Sequence, residues 1–192
     1  HSSVVIIKGD LKIMCDPWIE GTVFQDGWEH LAKTAFKYDD FELITHIWFS
    51  HEHPDHFFPP NLKKIPLKFR NRITVLYHKT KDKKVINFCQ KLGFKSIIEI
   101  DPQSVLELGG SLKIKCQNIG HDSYLYVTDD KHSILNVNDC VLRSEIDIKK
   151  IKNNVGNVDL LLTQFSYAQW EGNPNQQHLR IEAANKKFRE IE

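Results

Sequence analysis

Within the short stretch Ser50-His51-Glu52-His53-Pro54-Asp55-His56, three imidazoles and a carboxylate are packed into six residues, the densest set of metal-ligand side chains in the chain. Neutral imidazole nitrogen and carboxylate oxygen both bind divalent first-row metals, so the segment reads as part of a metal site. The apolar, β-branched run Phe41 to Ser50 (FELITHIWFS) leads directly into it and fits a buried strand. At the mouth of a strand, two-residue alternation turns His51 and His53 to one side, where both can grip one ion. Asp55 and His56 follow Pro54, where the chain turns, and so address the same cavity from another direction. That arrangement suits a second ion. Two ions about 3.5–4 Å apart polarise a substrate oxygen and lower the pKa of a bridging water towards neutrality, so hydrolysis needs no covalent nucleophile. The plain alternative is a His-rich surface loop in which Glu52 and Asp55 pair with lysines.

The elements around this cluster follow from apolar periodicity and turn residues. Val4 to Lys8 and Lys12 to Cys15 flank Gly9-Asp10 and predict an opening β-hairpin, ended by Asp16-Pro17. Gly27 to Lys37 is compatible with a helix or an irregular segment. Pro59-Pro60-Asn61 starts a short helix, and Arg72 to Tyr77 predicts a buried strand. Lys79 to Leu92 is amphipathic at helical spacing, with Gly93 as its stop. Ser96 to Ile100 is a strand. Ser104 to Leu108, Ser111 to Asn118, Ser123 to Thr128 and His132 to Val137 form an antiparallel meander broken at Gly109-Gly110, Gly120 and Asp129-Asp130. A helix over Glu145 to Asn153, a buried strand over Val158 to Phe165 and a helix over His178 to Ile191 complete the pattern. The order predicts an α/β fold with sheet packed on sheet and helices outside, forming one domain over residues 1–192.

Composition sets bounds on this picture. In 192 residues, 41% hydrophobic and 27% charged side chains are ordinary globular values, which argues against disorder and a disulfide scaffold. A net charge of +1 supplies no overall field for polyanions or anionic membranes, and no basic-aromatic stripe points to nucleic acid. A small-molecule substrate is therefore expected, in a soluble, cytoplasmic protein with no membrane span. Cys15, Cys89, Cys116 and Cys140 form no Cys-x-x-Cys pair and read as buried thiols. Trp18, Trp28 and Trp170 read as core or rim packing, or as walls of a substrate cleft. The chain opens on His1-Ser2-Ser3 and closes at Phe188-Arg189-Glu190-Ile191-Glu192 inside a charged helical pattern, so truncation at the C-terminus is an expectation of this reading.

The order His51-x-His53-x-Asp55-His56 after a strand ending Trp48-Phe49-Ser50 resembles the signature of the metallo-β-lactamase superfamily. The resemblance implies an αββα sandwich with a dinuclear site at one edge of the two sheets. It implies that His51, His53 and a later His hold the first ion, matched here by His121 in Ile119-Gly120-His121-Asp122. Asp55, His56 and a bridging Asp hold the second, matched by Asp139 in Asn138-Asp139-Cys140. Asp55 then serves as ligand and catalytic carboxylate together. Asp16 matches a position from which an Asp orients the ligands. His178, in Asn175-Gln176-Gln177-His178, is the one histidine available for the final ligand, although its setting departs from the strand-to-loop context of the family. Asp16-Pro17-Trp18, Gly21-Thr22-Val23-Phe24, Asn138-Asp139-Cys140 and Asp159 to Ser166 most resemble the branch around CMP-N-acetylneuraminate hydroxylase, with ascorbate-6-phosphate lactonase and N-acyl phosphatidylethanolamine phospholipase D more distant. No Rieske-type Cys/His spacing occurs in the chain.

Three functions follow as expectations. The first is a hydrolase with two divalent ions, zinc by expectation, acting on an ester, amide, lactone or phosphodiester. The second is an iron-dependent, non-haem diiron oxygenase on the same fold, because imidazole and carboxylate also suit iron. The third is a non-catalytic binding member with an incomplete site.

Overall fold

Gly9-Asp10 folds the first apolar run back on itself. In this computed structural model, which describes residues 2–142 and 144–164, Val4–Lys8 (β1) pairs antiparallel with Leu11–Cys15 (β2). His46–Trp48 (β3), Thr74–His78 (β4) and Ser96–Ile100 (β5) then add in parallel, giving a sheet ordered β1-β2-β3-β4-β5. Leu106–Gly109 (β6), Leu112–Ile119 (β7), Asp122–Thr128 (β8) and Ser133–Asn138 (β9) form the expected antiparallel meander. Leu160–Thr163 (β10) joins parallel to β9, so the second sheet runs β10-β9-β8-β7-β6.

Alternation buries the inner residues of both sheets against each other. Ile6, Ile13, Cys15, Trp48, Leu76 and Ile100 meet Leu112, Ile114, Cys116, Leu125 and Val127 in one apolar layer. The outer face of the first sheet carries Met14, Ile47, Phe49 and Val75. They pack under Pro59–Lys64 (α1), Leu67–Arg70 (α2) and Lys84–Lys91 (α3), which contribute Leu62, Phe69, Val85, Ile86 and Cys89. Glu145–Val155 (α4), started by a Ser144–Asp147 capping box, lays Ile151 on Tyr124, Leu135 and Val137 of the second sheet. The αββα sandwich is thus present, with all four cysteines buried as free thiols.

Three local expectations are corrected, and one short helix is added. The run from Phe41 is not one strand: Asp40 accepts a hydrogen bond from the Lys37 N–H at 2.7 Å and caps a 3₁₀ helix over Tyr38–Leu43, so β3 begins only at His46. The helix expected from Lys79 starts at Lys84, because Lys79 extends the sheet by donating to the Ile100 carbonyl at 2.9 Å. Pro66 starts α2, which the periodicity did not announce. The last strand is shorter and less buried than expected: Leu160 and Leu161 are about half exposed, 48% and 52%. The segment from Gly27 to Lys37 is irregular, with a single bridge between Val23 and Trp28. Among the described residues, no helix is long and apolar enough to cross a membrane.

Candidate metal centre

The loop after β3 is pinned at both ends by aromatic residues. Phe49 and Phe57 are buried and meet edge to face with centroids 5.0 Å apart, and between them the His56 and Phe57 N–H groups both donate to the His53 carbonyl. This turn forces three imidazoles together. Nε2 of His51 lies 2.8 Å from Nδ1 of His53, and the His51 and His56 ring centroids are 4.1 Å apart. Ser50 Oγ touches Nδ1 of His51 at 2.9 Å, which leaves Nε2 of His51 facing outward to the other donors.

The carboxylates arrive from four elements. Asp16, at the end of β2, is fully buried and accepts from the Ser50 N–H and the Ser50 hydroxyl, each at 2.8 Å, and from the Asn138 side-chain amide. Its Oδ2 lies 3.1 Å from Nδ1 of His56. With that nitrogen oriented by Asp16, Nε2 of His56 points to Asp139 Oδ2 at 3.2 Å and Asp55 Oδ2 at 3.3 Å. Asp139 follows β9. Asp122 opens β8 and brings Oδ1 to 3.6 Å from Nε2 of His51.

Two groups of donor atoms result, each converging within 4.8 Å: His51, His56 and Asp139, and His51, His53 and Asp122. Four donors about 2.0–2.1 Å from one ion in a tetrahedron would stand about 3.4 Å apart. The spacings of 2.8–3.6 Å bracket that value, so the residues fit a bound divalent metal. The electrostatics agree. Burial opposes a charge on His56, yet the hydrogen bonds its ring donates to Asp139, Asp16 and Asp55 overcome it and raise its pKa to about 12. These carboxylates demand a cation at His56, and proton and metal compete for the place. His51 is driven the other way, to about 4, by burial and then by the charge of His56. Burial followed by the charge of Asp139 raises Asp122.

The structure brings His51, His53, Asp55, His56, Asp139 and Asp16 into one site. It does not bring in His121, which is exposed in the β7–β8 turn; its neighbour Asp122 joins His51 and His53 instead. His178 lies outside the described residues. Asp122 was missed because Gly120-His121-Asp122 offered a histidine first, although an acidic residue beside a candidate ligand is itself a signal. A cavity of about 1040 Å³, lined in part by Ser3, Trp18, Trp28 and His30 and by none of the metal-site side chains, opens beside the strand end that carries Asp16. Ser3 ties it to the site by donating to the Asp16 carbonyl at 2.6 Å, and the Phe24 ring stands between Trp28 and His53.

No family model matches the sequence. A Mycolicibacterium smegmatis protein provisionally named a Rieske 2Fe-2S iron–sulfur protein is 23% identical over 180 residues, which cover 88% of this chain and 34% of that one. The chain spans about a third of the length of the curated relatives it matches. Among solved structures, CmlA, a diiron β-hydroxylase from Streptomyces venezuelae, is 20% identical with a TM-score of 0.64 over 84% of this chain and 32% of its own. A possible metal-dependent hydrolase from Veillonella parvula is 13% identical with a TM-score of 0.67, covering 90% and 71%. The metallo-β-lactamase fold protein YhfI from Bacillus subtilis is 18% identical with a TM-score of 0.53, covering 83% and 61%. Two five-stranded sheets between helices, a ligand-dense loop at their edge and these likenesses together make this chain a protein of the metallo-β-lactamase fold.

Proposed function

We propose that this chain is the metal-binding part of a non-haem diiron oxygenase acting on a small molecule. The observation that carries the reading is Asp122. With it, the two donor groups, which share His51, offer three imidazoles and two carboxylates between them, and Asp55 adds a further hard oxygen. Two histidines and one carboxylate with open positions suit non-haem iron, whereas a third imidazole in place of Asp122 would have moved the His53 group towards zinc. The likeness to a diiron β-hydroxylase supports the same reading.

When bound, such iron supplies one-electron and dioxygen chemistry. The chain's own residues hold and orient. Asp16 fixes the His56 ring through Nδ1, and Ser50 fixes His51. Asp55, Asp122 and Asp139 balance the cationic charge.

The test is metal analysis and spectroscopy of protein produced in iron-supplemented and in zinc-supplemented medium. The reading expects close to two iron ions per chain and an absorption change when the reduced protein meets oxygen. A colourless protein that takes only zinc and stays redox-silent overturns it. The hydrolase reading keeps one observation in its favour, the fold likeness to the Veillonella parvula protein. Turnover of a nitrophenyl ester or a bis-nitrophenyl phosphate by the zinc-loaded chain, abolished by a chelator, is the result that selects it.

A further inference from the structure

Seven non-glycine residues described in the structure sit at positive φ, a region that costs an L-residue roughly 1–2 kcal/mol. Phe24, Gln25, Asp26, Ser111 and Asp130 are exposed turn residues. The remaining two, Asp16 at φ 44° and Asn138 at φ 46°, are buried, and they touch. Asp16 follows β2 of the first sheet and Asn138 ends β9 of the second, so the contact crosses the sandwich at the metal-centre edge. Glycine would adopt the backbone of residue 138 with no strain. What asparagine adds is an amide, and that amide donates to the same Asp16 oxygen that faces His56. Strain held in place by surrounding structure marks positions where geometry is used.

The backbone of Asn138 is held as firmly as its side chain. Its N–H donates to Asn136 Oδ1 at 3.1 Å, and its carbonyl accepts from the Gln164 N–H at 3.4 Å. The next residue is Asp139, whose carboxylate faces the opposite nitrogen of His56. Asn138 therefore acts on both sides of one imidazole. Through its amide it fixes the carboxylate at Nδ1, and through its left-handed backbone it aims the carboxylate at Nε2. Among the described residues its hydrogen bonds run to Asp16, Asn136 and Gln164, and none to His53 or Asp122.

We propose that Asn138 is a positioning residue chiefly for the ion held by His56 and Asp139, which it reaches through Asp16 and through its own backbone, and that the ion held by His53 and Asp122, which it reaches only through Ser50 and His51, depends on it far less. The inference rests on the reading of the site as a dinuclear metal centre.

Cobalt(II) titration of the full chain tests it, with stoichiometry from metal analysis and site occupancy from the ligand-field absorption bands. Asn138→Gly keeps the backbone and removes the amide. It is expected to bind its first ion within about threefold of the parent and its second about 10–100-fold more weakly, the usual cost of losing a partner that orients a ligand. A merely structural residue would not separate the two ions. Equal affinities in parent and variant overturn the proposal, and so does equal weakening of both ions in a variant that still unfolds cooperatively. Should the glycine variant not fold, Asn138→Asp carries the same two outcomes, since it keeps the shape but sets a carboxylate against Asp16. A parent chain that takes up no cobalt overturns the dinuclear reading itself, a result distinct from two ions bound equally well by parent and variant.

Discussion

The two ends of the candidate centre are built from the same residue types and treated differently by the fold. At the His56 end, His56, Asp16 and Ser50 have no exposed surface and Asp55 has 3%. The polar side chains there bond to one another, and two of the bonds run between sheets: Asn138 to Asp16, and the Ser123 hydroxyl to the Ser50 carbonyl at 2.6 Å. At the other end, His53 is exposed and Asp122 is partly so. Fold and function are thus inseparable at one end, where the ligand network clamps the sandwich, and separable at the other, where ligands stand on a surface. A buried charged network is costly to break because its remaining members stay buried without their partner.

The largest effect should come from the clamp. Asp16→Ala leaves the Ser50 N–H, the His56 ring and the Asn138 amide without their shared acceptor, and is expected to destabilise the metal-free chain by about 3–5 kcal/mol in denaturant unfolding. His53→Ala should remove one ion from the stoichiometry and change metal-free stability by less than about 0.5 kcal/mol, as exposed substitutions do. Equal stability losses in the two variants would erase the distinction between the ends.

Proton competition gives a second contrast. His56 is raised from an ordinary value of 6.5 to about 12, so metal entering there at neutral pH displaces a proton, and its affinity should rise about tenfold per pH unit. His51 is lowered to about 4 and has no proton to lose between pH 6 and 8. Chelator competition across that range should therefore show a steeper slope for the ion at His56. The metal-free protein responds in the opposite sense. A raised folded-state pKa contributes stability in full below pH 6.5 and loses it as pH rises towards 12. Equal slopes for both ions would count against the assignment.

The same contrast explains what could be read from sequence. The loop from His51 to His56 is legible because its ligands are consecutive and a turn alone brings them together. Asp16 is legible as a strand end before Pro17, but its contact with Asn138 is not, since 122 residues separate them and only the stacking of two sheets joins them. The extent of β3 was obscured by Asp40, a side-chain cap that stops the strand pattern from running back to Phe41. The β7–β8 hairpin hid the carboxylate: Ile119 pairs with Asp122 across a two-residue turn, and a one-residue change in such a register decides which side chain faces the site.

That hairpin supplies the smallest expected effect and the sharpest one for assigning ligands. Gly120, at φ 66°, and His121 form the tip of the turn, so the His121 ring stands in solvent while Asp122, paired back to Ile119, enters the site. His121→Ala should leave metal stoichiometry unchanged and the affinity of either ion within about twofold, as a surface change does. Asp122→Asn, which keeps shape but removes the charge near His51, should weaken the ion at His53 while leaving the ion at His56 bound. If His121→Ala instead empties the His53 end and Asp122→Asn is silent, the turn presents its histidine to the metal. The His53 donor group would then be three imidazoles, and the preference for iron argued from Asp122 would pass to zinc.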